Sequence, residues 1–549
     1  MASCGRLSIG LAGNGRLVGR RVDNPPQDTI PPHKTRGMSD VGRLSGMAHP
    51  CAPPPRRYHR SVTPSHRQPE PSASVSAKWY RLAGAVFLVA YLVWVSRSTL
   101  RIHFALDDPM NLAYFWRLPP WQQILGPLMP WQPLYRPLAA WYLVPILRIF
   151  GMNPAAFHAG LLAILLINTF LIYRLSRLLG CGERAAWLVA LVVCYHAGLA
   201  NLYYSIAFVF DVLCGFFFVS AWLYYVSIRA RGAVLRWWQV GLFLGLYLAA
   251  LDAKEMAVTL PAILLLYEWF YGPPVPWRPR DLARWLLGPG RSILASACLT
   301  LVYLGGRVYG SGGLIHDAGY VPKLSMARVW AFQVRAFSDM LDKWDYFGRT
   351  GIVVVWVVMF YLAWRRPRPV LRFACLALLV APLPIEFLIG RAGGCLYIPL
   401  MVFAMFVAVV FVDTADSAAG VLAREPGFRR LAPATLSAIL VAAGGLYWAY
   451  HNADLKRRYV DPTTTDVAPQ TWDAIQQLKA LRPNIRPHST VVFLNDPFGS
   501  FDMLFVAELQ ILDRTVDIKL NRRTPLTPEE IAKADYVFDY RDGRFVQVR

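Results

Sequence analysis

Charge is scarce in this 549-residue chain, and acidic charge is the scarcer sign. Asp, Glu, Lys and Arg together make 17% of the residues, 34 acidic against 57 basic, while 55% are hydrophobic. A soluble protein of this length would carry about a quarter charged residues and split into several domains, so that class is set aside. Cysteine patterns are missing too. Cys4, Cys51, Cys181, Cys194, Cys214, Cys298, Cys375 and Cys395 show no CxxC or Cys/His metal spacing, and most sit in or beside apolar runs, where Cys packs as a small hydrophobe. Neither a structural zinc nor a disulfide framework is expected. No internal repeat is found, and the first charges lead into no apolar stretch of the kind a secretory signal peptide needs.

What is present is apolar length. Runs long enough for a bilayer recur from residue 80 to 451, which makes the expected fold an all-α polytopic membrane protein. The net charge of +23 suggests nucleic acid at first sight. That partner is rejected, because the basic residues gather in the N-terminal tail and in short loops between apolar runs. Residues 1–79, with Pro53-Pro54-Pro55-Arg56-Arg57 typical, cannot bury a core and read as a disordered cytoplasmic tail.

The first span is read at 80–97 and the first outer loop at 98–154. That loop holds Trp116, Trp121 and Trp131, which suit an interfacial position. Its segment 134–150 is apolar but short, interrupted by Pro137 and Pro145 and carrying Arg136 and Arg148, and reads as an interfacial or re-entrant helix. Further spans are placed near 155–178, 185–203, 205–228, 236–253, 256–271, 291–309, 350–364, 369–389, 395–413 and 431–451. With 134–150 left out, every arginine cluster of the loops falls on the inner side: Arg174, Arg177 and Arg184; Arg229, Arg231 and Arg236; Arg278, Arg280 and Arg284; Arg365, Arg366, Arg368 and Arg372; Arg424, Arg429 and Arg430. Counting 134–150 as a span reverses all of them. The expectation is eleven spans, N-terminus in the cytoplasm and C-terminus outside. A long outer loop, 310–349, contains His316, Asp317 and an amphipathic helix over 325–343.

Residues 452–549 change character and read as a small extracytoplasmic α/β domain. A strand is predicted at Ser489–Leu494, a helix at 501–512, a helix start at Thr527-Pro528-Glu529-Glu530, and a hairpin around Asp542-Gly543. Its strand–turn–helix lacks GxGxxG and GxxxxGK[ST], so no nucleotide site is expected.

The chemistry centres on Asp107-Asp108-Pro109, where the chain leaves the first span. The bland reading is an acidic helix start. The functional one is a catalytic base, or a ligand for a divalent cation such as Mg or Mn. In an extended segment such neighbours point to opposite sides, so one of them faces the substrate. Asp252-Ala253-Lys254-Glu255 puts charges at a span end, where they are costly and default to function, although a local Lys254–Glu255 pair explains them as well. Arg391, ahead of Leu396-Tyr397-Ile398-Pro399, suits phosphate binding or an ordinary loop position, and Tyr397 and Glu255 are further candidates for contact with donor or substrate. Arg136 orients the interfacial helix or meets a phosphate. His158 and His196 read first as packing histidines, with a place lining the cavity as the other reading. Asp211, inside an apolar run, either pairs with a neighbouring helix or lines a cavity.

Leu106-Asp107-Asp108, then Tyr135-Arg136-Pro137-Leu138, then Phe157-His158 and Asn168, resemble the transmembrane and tetratricopeptide-repeat (TMTC) O-mannosyltransferases and their bacterial relatives. Asp252 to Pro261 with Tyr267-Glu268-Trp269 is similar to that family's Lys-Glu segment, and Arg391 with Leu396-Tyr397-Ile398-Pro399 to its Glu-Arg-Tyr-Leu-Tyr-Leu-Pro segment. Here Gly393 and Gly394 break the spacing and the Glu is absent. The resemblance spans about 80–450. It implies a GT-C fold with the acidic pair in the first outer loop and a polyprenyl-phosphate sugar as donor. It also implies Asp107 or Asp108 as base, with Arg391 and Lys254 near the donor phosphate. No tetratricopeptide repeats follow, so neither mannose nor the family's acceptor is carried over.

The expected function is a membrane glycosyltransferase that moves a sugar to a hydroxyl of a protein, glycan or lipid, with a bacterial inner membrane as its place and membrane lipids as surroundings. A transporter or flippase of lipid-linked glycans is the alternative. It lacks the paired broken-helix repeats that such folds show. A non-catalytic assembly protein is the third class.

Overall fold

The computed structural model describes residues 75–104, 107–132, 134–276, 278–310, 322–341, 348–462, 469–481, 485–498 and 503–549. Residues 1–74 of the basic tail, and His316 and Asp317, lie outside the described residues. All packing below lies within the compact unit Ala83–Arg549.

The chain runs as α1 (Val75–Ser96), α2 (Asp107–Arg117), α3 (Pro120–Leu125), α4 (Ala140–Phe150), α5 (Pro154–Leu178), α6 (Glu183–Cys194), α7 (Asn201–Tyr204), α8 (Val209–Arg229), α9 (Trp237–Ala253), α10 (Leu260–Tyr271), α11 (Pro279–Leu287), α12 (Arg291–Gly310), α13 (Met326–Met340), α14 (Arg349–Arg365), α15 (Pro369–Val380), α16 (Leu383–Glu386), α17 (Tyr397–Leu422) and α18 (Pro433–Leu455). Among the described residues, six helical stretches are long and apolar enough to cross a membrane: Lys78–Arg101, Pro154–Leu178, Ile206–Arg229, Pro369–Glu386, Gly393–Leu422 and Pro433–Val460. The pair α11 and α12, bent by 86°, makes a seventh if it is one span. The protein is an integral membrane protein.

Each predicted span holds a helix, but α6 and α10 have 12 residues each, and α9 and α14 have 17 each. A straight crossing needs about 20, so length alone does not fix the number of crossings. The largest departure is at 185–203, where α6 stops at Cys194 and the chain continues through the short turns Ala197–Leu199 and Asn201–Tyr204. The segment 134–150 is a turn at Pro137–Ala139 followed by the 11 residues of α4. The amphipathic helix of the long loop is α13, capped by Ser325 Oγ accepting the Arg328 N–H at 3.3 Å.

Connections of a few residues at 179–182, 230–236, 254–259 and 366–368 make consecutive helices antiparallel. One end of the bundle therefore gathers 97–153, 195–208, 254–259 and 387–396. The other gathers the arginine-rich turns, where Arg184 meets Asp416 at 3.0 Å and Arg366 meets Asp413 at 3.2 Å.

The C-terminal segment adds β1 (Thr490–Phe493), β2 (Asp517–Leu520), β3 (Tyr536–Arg541) and β4 (Arg544–Gln547), with α19 (Pro469–Leu481), α20 (Met503–Ile511) and α21 (Pro528–Lys533). Strand order is β2-β1-β3-β4. β1 is parallel to both neighbours, and β4 is antiparallel to β3. The buried run Val491-Val492-Phe493 suits a central parallel strand. Asp542 (φ 50) and Gly543 (φ 78) give the left-handed pair that a two-residue hairpin requires. Thr527 and Glu530 form a reciprocal capping box on α21.

Candidate active site at one end of the helix bundle

α2 begins at the acidic pair. Asp107 and Asp108 stand in its first turn, where exposed N–H groups and the positive end of the helix favour carboxylates. The pair is thus helical and not extended as the sequence implied. Successive residues diverge by ~100° about the helix axis, and their environments differ accordingly. Asp108 is fully buried. Its Oδ1 accepts the Ala207 N–H at 2.7 Å and the Ser205 hydroxyl at 3.3 Å. Asp107 is partly exposed. Asp108 therefore anchors the turn Ile206–Phe208 that leads into α8, and Asp107 faces the accessible side.

The turn held by Asp108 sets the start of α8, where Asp211 pairs with Lys254 at 2.5 Å. Lys254 ends α9 in an extended conformation, so its side chain and that of Glu255 leave the chain in different directions. The Lys254 ammonium also donates to Cys395 Sγ at 3.3 Å. Glu255 takes two donors of Arg136 on one oxygen, Nε at 3.2 Å and Nη2 at 3.0 Å. Arg136 is held at φ 44, a strained conformation for a residue with a side chain. Its guanidinium lies 4.7 Å from the Tyr135 ring centre and 5.0 Å from that of Phe210. Burial pushes the Glu255 carboxyl up, but the Arg136 and Arg307 guanidiniums overcome it and hold the group at about 2. The structure thus brings Arg136, Asp211, Lys254 and Glu255 together from distant parts of the chain.

Asp252 and Arg307 belong to the same cluster. Both are buried, and Asp252 Oδ2 has no hydrogen-bond partner among the described residues. The signal for Arg307 was in the sequence: a charge at the end of an apolar helix, the same rule that singles out Lys254. Asp339 is a further buried carboxylate, one that the sequence reading did not single out. It lies on α13 and accepts the Gly393 N–H at 2.9 Å.

Arg391 lies in the loop before the turn Gly393–Leu396, which reaches the cluster through Cys395. The two glycines that interrupt the family spacing have a physical reason. Gly393 takes φ +58, and a Cβ on Gly394 would sit 2.5 Å from the Phe208 ring. Tyr397 is not brought to the cluster. Its ring is buried against Gly215, where a Cβ would lie 2.7 Å away. His158 is buried in α5 beside Phe157, whose ring meets Phe104 edge-on at 5.7 Å. His196 is buried in a structural role. Its Nδ1 accepts the Gly198 N–H at 3.2 Å and its Nε2 lies 3.1 Å from the Met340 carbonyl, which assigns the proton to Nε2.

Among the described residues no group of three His, Cys, Asp or Glu side chains is placed to hold a metal ion. Asp107 and Asp108 offer a divalent cation two carboxylates without a third ligand of that kind. Magnesium is characteristically held by one or two carboxylates together with waters and substrate phosphates.

No protein-family model matches the chain, and no curated protein matches it significantly. Matches among solved structures include ArnT from Cupriavidus metallidurans bound to undecaprenyl phosphate, at 14% identity over 86% of this chain and 98% of that one, with a TM-score of 0.45. The same ArnT in the apo state matches at 14% identity over 81% and 86%, with a TM-score of 0.43. The archaeal oligosaccharyltransferase AglB from Archaeoglobus fulgidus, in complex with an inhibitory peptide and a dolichol-phosphate, matches at 12% identity over 85% and 70%, with a TM-score of 0.43.

Proposed function

We propose that the chain is a membrane glycosyltransferase of GT-C type. It transfers a sugar from a polyprenyl-phosphate donor to a hydroxyl of a protein, glycan or lipid. The reaction takes place at the end of the bundle that carries α2. That end faces the extracytoplasmic side, with eleven crossings, because the arginine-rich turns at the other end belong in the cytoplasm.

One observation carries the reading: a partly exposed carboxylate, Asp107, stands beside an anchored one, Asp108, at the same end of the bundle as Arg136, Lys254 and Arg307. In the proposed step Asp107 takes the proton of the acceptor hydroxyl. The hydroxyl oxygen forms the new bond to the anomeric carbon as the bond to the phosphate oxygen breaks. The released lipid phosphate carries the departing electron pair and is met by the basic groups, with Arg391 at the approach. Attack opposite the leaving group inverts the anomeric centre. No step is routed through a metal.

The test uses the purified full chain in lipid nanodiscs, a panel of labelled polyprenyl-phosphate hexoses and a membrane extract as the source of acceptors. Asp107→Asn is expected to abolish label transfer while leaving expression and donor binding intact. Normal transfer by both Asp107→Asn and Asp108→Asn would reject the reading.

A further inference from the structure

We infer that the C-terminal segment is a clamp on the acidic helix, with Glu508 and Arg514 as positioning residues that act through α2. This inference rests on the proposed role of Asp107. Its observations are independent of that role.

α2 is held at both ends. Its first turn is tied to Ser205 and Ala207 through Asp108. Its last turn is tied to the C-terminal segment. Arg117 forks onto the Glu508 carboxylate of α20, Nε at 2.7 Å and Nη2 at 2.6 Å, with its guanidinium 5.5 Å from the Phe505 ring centre. Arg514 donates to the Trp116 carbonyl and, at 3.0 Å, to the Leu118 carbonyl, and lies over the Trp116 ring at 5.1 Å. The final carbonyls of a helix lack partners within it, and a cation suits that end of the dipole. Arg514 therefore caps α2 from about 400 residues away in sequence. A third tie lies ahead of the acidic pair, where His103 stacks on Trp472 of α19 at 4.3 Å and 9°.

The acidic pair thus hangs between two contacts with one segment, Trp472 before it and Glu508 with Arg514 after it. Eleven residues of helix span ~16 Å, so a shift at the far end is passed along a rigid element to Asp107. A segment that only bound an acceptor would have no need to hold the helix that bears the base.

The experiment is a charge exchange in the full chain in nanodiscs: Arg117→Glu, Glu508→Arg, the double variant, and Arg514→Ala. Amide hydrogen exchange over 107–117 is read beside the kcat and donor KM of transfer. Exposed forked pairs and their reversal are worth up to about a fivefold change in a local equilibrium. Glu508→Arg and Arg514→Ala are expected to raise exchange of α2 by about that factor and to lower kcat several-fold at unchanged KM. The double variant is expected to restore both readouts. Unchanged α2 exchange in Glu508→Arg and Arg514→Ala, or a double variant no better than the singles, overturns the clamp. Raised exchange with unchanged kcat overturns the positioning role. If Asp107→Asn and Asp108→Asn both transfer normally, the enzyme reading falls, and the exchange measurement still decides whether α2 is clamped.

Discussion

The two ends of the bundle each hold a glutamate–arginine pair, and the pairs differ in closure. At the arginine-rich end, Glu268 accepts Arg229 Nε at 2.7 Å and Tyr225 Oη at 2.9 Å on one oxygen and Arg229 Nη2 at 2.6 Å on the other. Both side chains are nearly inaccessible, 8% and 1% exposed. At the opposite end, Glu255 is 35% exposed beside an 8% exposed Arg136, and the neighbouring Asp252 Oδ2 is buried without a partner among the described residues. A closed pair uses its bonding capacity on itself and can only hold structure. A pair left open, with a carboxyl oxygen beside it that lacks a hydrogen bond among the described residues, keeps capacity for something that arrives.

The sharpest way to break this contrast is Glu268→Ala. It leaves the Arg229 guanidinium buried without its partner, which costs about 3–5 kcal/mol. Thermal unfolding should register that loss, while transfer per folded molecule stays at the wild-type value. A variant that keeps its Tm but loses transfer would place function at the wrong end. The mirror experiment, Glu255→Gln, should do the reverse. Its Tm falls by less than that of Glu268→Ala, because the pair is partly solvated, while kcat/KM falls about 10- to 100-fold, the worth of one or two charge-assisted bonds.

Arg136→Lys is a finer probe. Lysine keeps the charge but cannot direct two donors in a plane at Glu255, nor lie flat over Tyr135 and Phe210. A loss of about tenfold in kcat/KM with an unchanged Tm is expected. Full activity in Arg136→Lys would mean that only charge is required there.

These contrasts also show what the sequence could and could not display. The long apolar helices and the C-terminal hairpin were legible because each is written in neighbouring residues: apolar length and Asp542-Gly543. The short α6 was not, because the apolar run through Leu202 and Tyr203 continues past the break that His196 stabilises by capping Gly198. β2 escaped because Asp517-Ile518-Lys519-Leu520 is a four-residue edge strand whose register with Thr490–Phe493 is set by partners, not by its own pattern. Within the site, Lys254 and Glu255 were visible as rim charges. Their separate partners, Asp211 and Arg136, lie 43 and 119 residues away, and only tertiary packing sorts the local pair proposed from sequence into two long-range ones. Arg514 was invisible as a helix cap for the same reason.

The smallest expected effect is a shift with pH. Burial raises the Glu255 carboxyl, and Arg136 and Arg307 more than offset it, so the folded value lies at about 2, below the ordinary 4.5. A carboxylate whose folded pKa is depressed contributes stability that is complete above its unfolded value and fades as pH falls towards the folded one. The Tm difference between wild type and Glu255→Gln should therefore be constant from neutral pH down to about 4.5 and shrink between there and about 2. Arg136→Gln removes the nearer cation and both of its hydrogen bonds, so the carboxyl titrates closer to its ordinary value and the residual contribution of Glu255 narrows at the acid end. If the wild-type difference stayed flat down to pH 3, or grew on acidification, Glu255 would not be held ionised by Arg136, and the open cluster would lose the charge pairing that separates it from the closed one.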